Sequence, residues 1–293
     1  MIFRNSTNID FSKYSIYAIS CSSILVIVSI LLILFKGICF GTDFAGGIII
    51  ELRANQIDVK SINLKLQEKG FVGFSVQGFD NNNNELMIRF KSEKDSDQTN
   101  TVEKVKEVLG EILGEVTYLK IDYVGPQVGY KQIFEGLCAI IFSLFGMFVY
   151  LWIRFQWRFA LGGVLALIHD VILTLGLISL FDIEFNLSST AAILTVIGYS
   201  VNDSVVIYDR IRELLKKKLK EKLTKIINIS INSTLSRTIL TSGTTMLASI
   251  PLILLCQGTV RDLSIIVFFG IAVGTYSSIF IATSSLSAKM DKV

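Results

Sequence analysis

Six runs of roughly twenty residues, nearly free of charge, dictate what this chain can fold into. They cover residues 14–35, 136–153, 159–180, 187–208, 238–256 and 263–288. A helix rises about 1.5 Å per residue, so about 20 residues cross the roughly 30 Å hydrocarbon core of a bilayer. Hydrocarbon offers the backbone no hydrogen-bond partner, which leaves the helix as the form for such runs. Composition agrees: 51% hydrophobic against 18% charged, with mean hydropathy +0.58, lies outside the range of an ordinary soluble domain. The expected fold class is an integral membrane α-helical protein with six transmembrane helices and one polar insert. The shortest run, 136–153, is extended by flanking residues, with Trp152 and Trp157 as interfacial anchors. The run at 14–35 follows Arg4 and Lys13 as a signal peptide would. It is longer than a signal-peptide core and no small-x-small site follows it, so it reads as an uncleaved anchor. Four scattered cysteines do not make a disulfide framework; Cys21, Cys138 and Cys256 read as small apolar residues within the runs, and Cys39 lies just past the first.

Lys and Arg placement sets orientation. Arg4 and Lys13 precede the first helix, Arg154 and Arg158 sit between helices two and three, and Lys289 and Lys292 follow helix six. The loop between helices four and five holds Arg210, Arg212, Lys216, Lys217, Lys218, Lys220, Lys222 and Lys225. All four segments fall on one side under a six-helix count, so both termini are expected in the cytoplasm. The basic loop also carries Leu215, Leu219, Leu223 and Ile226 on one helical stripe. Two readings stand: an amphipathic helix on the membrane face, or the charge signal alone.

The chain divides into 1–36 (N-terminal arm and first helix), 37–131 (an insert outside the cytoplasm) and 132–293 (helices two to six with basic loop 210–236). The insert alternates strand 47–53, helix 58–69, strand 71–78, strand 85–90, helix 101–113 and strand 116–124. Residues 80–84 supply a hairpin turn and 92–100 a mobile loop. The β-α-β-β-α-β order predicts a ferredoxin-like α+β domain.

Polar residues inside apolar runs carry the functional signal. Asp203 lies in the fourth run, where a carboxylate costs roughly 2.5–3.5 kcal/mol on insertion scales. Such acids belong to proton relays, ion sites or buried ion pairs. Low polarity opposes the charged form and a nearby cation supports it, so the group can alternate between proton-bound and proton-free states. Tyr199, Ser200 and Asn202 are within reach to hydrogen-bond it. Arg237, at the start of the fifth run, is the natural partner, with snorkelling to lipid phosphates as the plainer reading. Thr238, Thr241, Ser242, Thr244 and Thr245 follow as a hydroxyl-rich track for helix packing or a hydrated path. His169 and Asp170 sit mid-helix in the third run; adjacent residues point about 100° apart, so they do not both face one site squarely. A proton relay and a polar contact between helices are both open for them. Gly270 and Gly274, like Gly162 and Gly163, read as sites of close helix packing. One histidine and scattered acids make no metal site, and no nucleophile–base pair or phosphate loop is visible. Neither enzyme activity, cofactor nor nucleic-acid partner is expected.

Several segments together resemble the SecF branch of the SecD/SecF family, related to the resistance-nodulation-division transporters. They are Gly41-Thr42-Asp43-Phe44-Ala45-Gly46-Gly47, Val124-Gly125-Pro126-Gln127-Val128-Gly129, Ala166 to Asp170, Val196 to Asp203 continuing through Tyr208-Asp209-Arg210, and Ser233-Thr234-Leu235-Ser236-Arg237-Thr238. The resemblance covers nearly the whole chain. It implies an inner-membrane subunit that pairs with SecD beside the SecYEG translocon, with YajC a further candidate partner and membrane lipid around it. There, proton motive force, or sodium in some relatives, drives late-stage translocation of a polypeptide. It implies a proton pathway through Asp203 and Arg237, with Asn202, His169 and Asp170 as further candidates. Two other functions are open: a subunit of a proton-coupled small-molecule transporter of the same superfamily, and a passive assembly subunit.

Overall fold

This computed structural model describes residues 9–41, 44, 46–54, 59–71, 73–78, 85–90, 98–114, 116–124, 126–217, 221–256 and 258–290. Six helices are long and apolar enough to cross a membrane: α1 (Phe11–Phe35), α4 (Pro126–Arg154), α5 (Trp157–Leu180), α6 (Leu187–Lys217), α7 (Leu223–Leu255) and α8 (Gly258–Met290). The chain is therefore a multi-pass membrane protein. Each helix takes in one of the six apolar runs, the fifth but for its last residue, Cys256, which caps α7, and most overrun it into polar sequence. The basic loop is where this matters most. No separate surface helix forms there among the described residues: α6 continues to Lys217 and α7 starts at Leu223. Leu215 and Leu223 pack against a core that includes buried Ile226, Ile211 and Leu214. Their stripe faces protein, which excludes the amphipathic surface helix; Leu219 lies outside the described residues.

Between α1 and α4 stand β1 (Gly47–Ala54), α2 (Val59–Glu68), β2 (Phe74–Gly78), β3 (Glu85–Phe90), α3 (Gln98–Leu113) and β4 (Val116–Val124). The four strands form one antiparallel sheet in the order β2-β3-β1-β4. Period-2 alternation turns Ile48, Ile50 and Leu52 of β1 and Leu86, Ile88 and Phe90 of β3 to one face. That face packs on Ile62 and Leu66 of α2 and on Val105 and Leu109 of α3. The expected turn at 80–84 lies outside the described residues, as do 91–97, while Gln98 to Asn100, expected in a loop, open α3.

In the bundle, α5, α6 and α8 are the shielded helices, whereas α1, α4 and α7 present exposed apolar faces such as Ile16, Ile24, Phe142, Phe145, Leu247 and Leu254. Hydroxyls at heptad spacing tie α1 to the interior. Ser15 Oγ lies 2.5 Å from Ser284 Oγ, Ser22 Oγ donates to Tyr276 Oη at 3.1 Å, and Ser29 packs on Gly176 of α5.

The sheet domain is stitched to the bundle. Lys36 Nζ donates to Leu180 O and Asp182 Oδ2, and Ser179 Oγ donates to Gly37 O at 2.7 Å. Phe185 N–H donates to Cys39 O at 2.8 Å, and Gly41 N–H to Phe185 O at 2.9 Å. The rings of Phe40, Phe44 and Phe185 cluster above this seam. Two segments quoted for the resemblance meet here. Gly46 and Gly47 take positive φ (73° and 145°) at the entry to β1, a conformation glycine adopts without strain. A Cβ on Gly129 would lie 2.2 Å from the Phe44 carbonyl oxygen. Asp43 and Gly125 lie outside the described residues, and Pro126 opens α4. Because Phe44 O is backbone and cannot swing aside, Gly129→Ala is expected to cost about 1–3 kcal/mol through overpacking. Gly198→Ala, with open space around it, should be close to neutral. Thermal unfolding of the two variants in detergent checks the contrast.

Candidate functional site

Two buried carboxyls organise the centre of the bundle. Asp170 on α5 is fully buried between α5, α6 and α8. It accepts from Ser200 Oγ of α6 at 2.6 Å and from Ser277 Oγ of α8 at 2.8 Å, and His169 Nδ1 lies 3.0 Å away. His169 and Asp170 thus touch each other, with Asp170 turned to the hydroxyls of α6 and α8. The offset separates their Cβ directions, but an imidazole and a carboxyl are long enough to turn toward one another. His169 is buried, and its Nε2 has no hydrogen-bond partner among the described residues.

Asp203 on α6 is likewise buried, at 2% exposure. It accepts from Ser242 Oγ of α7 at 3.3 Å, and Ser242 accepts in turn from Thr275 Oγ1 of α8 at 2.7 Å. The partners expected from its own helix are engaged elsewhere. Ser200 serves Asp170, Tyr199 Oη lies 3.0 Å from Thr245 Oγ1, and Asn202 is exposed. Along one helix these side chains radiate in different directions, so Asp203 is met by neighbouring helices.

Arg237 does not bridge Asp203: no ion pair joins them among the described residues, although Asp203 lies in range of its charge. Arg237 and Ser242 are five residues apart on α7, roughly 140° around the helix, so the side that reaches Asp203 is not the side carrying the guanidinium. Arg237 is exposed and lines a surface cleft with Arg154, Asp209, Arg210 and Thr234. In the hydroxyl-rich track, Ser242 is the one hydroxyl that reaches an acid among the described residues. Thr241 and Thr244 spend their hydroxyls on carbonyls of their own helix.

Close packing makes these contacts possible. A Cβ on Gly270 would lie 2.2 Å from Val196 Cγ2, and one on Gly274 would lie 2.9 Å from Ser200 Cβ. With no side chains between them, α8 lies against α6 and brings Thr275 and Ser277 level with the two acids. Gly162 and Gly163 admit Tyr208 and Leu151 in the same way. Thr275 and Ser277 belong to this polar cluster and were missed by sequence reasoning; their signal was two hydroxyls one helical turn or less from Gly274 in a run otherwise read as packing. Among the described residues no group of three or more His, Cys, Asp or Glu converges as metal ligands would.

Asp170→Ala would strand the buried Ser200 hydroxyl, at about 1–3 kcal/mol when left unsatisfied, and leave Ser277 Oγ with its own-helix acceptor, Gly274 O at 3.1 Å. It is expected to lower the unfolding midpoint in detergent well below that of Ser277→Ala.

Comparison with known proteins places this geometry among characterised chains. The model for protein export membrane protein SecD/SecF, C-terminal, matches residues 104–292. A protein translocase subunit SecF from Rickettsia felis is 47% identical over 288 residues, covering 98% of this chain and 93% of that protein. The Rickettsia bellii counterpart is 46% identical, covering 99% and 96%. A crystal structure of SecDF, a translocon-associated membrane protein from Thermus thermophilus, superposes with a TM-score of 0.85 at 31% identity. It covers 99% of this chain, which spans only 40% of the length of that one. A SecDF structure in a super-membrane-facing form matches with a TM-score of 0.76.

Proposed function

The chain belongs to the SecD/SecF family of protein-export membrane proteins, and we propose that it works as the SecF-type subunit of a protein translocase, paired with SecD and driven by protons. One observation carries the ion-coupled part of this reading. Asp203 is buried, yet its hydrogen-bond partner is a neutral hydroxyl, with Arg237 near but unbridged. A static ion pair would need the guanidinium on the carboxylate, because an uncompensated buried charge is costly. A carboxyl held by hydroxyls can instead exist with or without its proton. A proton crossing 100 mV releases about 2.3 kcal/mol, enough to bias a two-state element several tens-fold. The pathway runs past Arg237 and Asn202 to Asp203, with Asp170 and His169 a second polar cluster at the α5–α6–α8 contact.

The same reading takes the sheet domain as a ferredoxin-like, extracytoplasmic unit. Support comes from the β2-β3-β1-β4 order, from both helices packing on one face, and from the excess of Lys and Arg at the opposite ends of the helices. The membrane is then the bacterial inner membrane with both termini cytoplasmic. The exposed outer helices are covered by lipid and by the SecD half, as the 40% span of the SecDF chain suggests. The SecYEG channel, YajC and the translocating polypeptide are the further partners, and the role is non-enzymatic.

Secretion of a reporter preprotein in cells depleted of the native subunit tests the reading. Asp203→Asn and Arg237→Met are expected to reach wild-type membrane levels and bind the SecD partner, but to lose late-stage export and its dependence on proton motive force. Full export by both variants would overturn ion coupling in favour of a passive assembly subunit.

A further inference from the structure

The ion-coupled reading leaves open how a change among the helices reaches the sheet domain, and the following inference rests on that reading. The turn at 181–186 joins α5, which carries Asp170, to α6, which carries Asp203. Four of the six residues of that turn, Asp182, Glu184, Phe185 and Asn186, touch something outside the bundle core. Asp182, held at φ 54°, pairs with Lys36 at the end of α1. Phe185 exchanges backbone hydrogen bonds with the Cys39–Gly41 linker and packs on Phe44. Asn186 caps α6 by accepting from Ser189 N–H at 2.9 Å, and its Cβ would meet one on Gly41 at 3.1 Å.

Glu184 reaches the sheet itself. Arg89 of β3 points away from the Ile88–Phe90 core, and its guanidinium forms an ion pair with Glu184, both side chains being largely shielded from water. The same guanidinium donates to Thr259 Oγ1, at the start of α8, at 3.3 Å. Asp262, one turn further along α8, lies in electrostatic range of both Arg89 and Glu184. A single forked cation in the sheet is thus held by the α5–α6 turn and by α8, the elements that carry Asp170, Asp203, Thr275 and Ser277. Separating a shielded ion pair is costly, so its two halves move together. Guanidinium geometry fixes direction as well as distance.

We propose that the 181–186 turn, through Arg89 and Glu184, is the joint that carries displacements of α5 and α6 into the sheet domain. Arg89 and Glu184 act as positioning residues: they touch no proton, and they set where the domain stands for each state of the bundle.

The test uses the full chain co-expressed with its SecD partner, native cysteines replaced, and spin labels at exposed Leu64 of α2 and Leu247 of α7. In membranes, Arg89→Gln and Glu184→Gln should broaden the inter-label distance distribution, and Arg89→Lys, which keeps the charge but loses the fork, should broaden it less. An unchanged width in both Gln variants would overturn the joint. Reporter export at equal membrane level should fall in Arg89→Gln as far as in Asp203→Asn. Loss in Asp203→Asn with normal export by Arg89→Gln would overturn the coupling role alone. Full export by Asp203→Asn would overturn ion coupling and this role with it. Arg89 lies on the sheet face opposite the helix-packed core, and Glu184→Gln leaves the sheet untouched, so the two variants guard against loss of folding in either one.

Discussion

The close approach of α8 to α6 is the contact on which the rest of the bundle depends. Helices in lipid gain little from apolar burial, because acyl chains are as apolar as leucine; van der Waals contact and hydrogen bonds hold them. Gly270 against Val196 and Gly274 against Ser200 let the two backbones draw near. That proximity sets Ser277 on Asp170 and Thr275 on the Ser242 that reaches Asp203. A larger side chain at either glycine would push α8 outward, taking the Ser277 donor from Asp170 and the Thr275 donor from Ser242, and leave each carboxyl with one hydroxyl, Ser200 on Asp170 and Ser242 on Asp203.

Much of this architecture was legible in the sequence. The six spans were readable because lipid imposes one rule, about twenty apolar residues per crossing, that no tertiary contact overrides. The insert's strands were readable because Ile48, Ile50 and Leu52 alternate with more polar or exposed neighbours along β1. Helix ends were less so: α6 runs on through Arg210, Glu213 and Lys217, whose i,i+3 and i,i+4 ion pairs sustain helix in water where hydropathy has already fallen. The basic-loop leucines show the same limit, since a stripe on a helix says that one face is buried without saying whether lipid or protein buries it.

The candidate site was half legible. Asp203, Asp170 and His169 stood out because ionisable groups are rare in such runs. Their partners did not, because Ser242, Thr275 and Ser277 are ordinary membrane-helix residues whose importance comes only from which helices touch. The expectation that Asp203 bonds within its own helix failed for the same reason. Arg237 stood out at the start of the fifth run, but position along a helix carries no angle around it, and the angle decides whether two side chains meet.

The heptad of serines along α1 bears on how such a chain comes to be assembled. Ser15 and Ser22 find their partners at Ser284 and Tyr276, about 250 residues later in synthesis. At roughly 5–20 residues per second, that separation amounts to something like ten to fifty seconds of translation. During this interval α1 has no hydroxyl partner on α8. Until α8 arrives, Ser15 and Ser22 have the carbonyls of their own helix to turn to, as Ser20 and Ser23 do in the folded protein. A helix made well before α8 is therefore locked in place only when α8 docks, and the interval before that is a window in which another membrane protein can engage it.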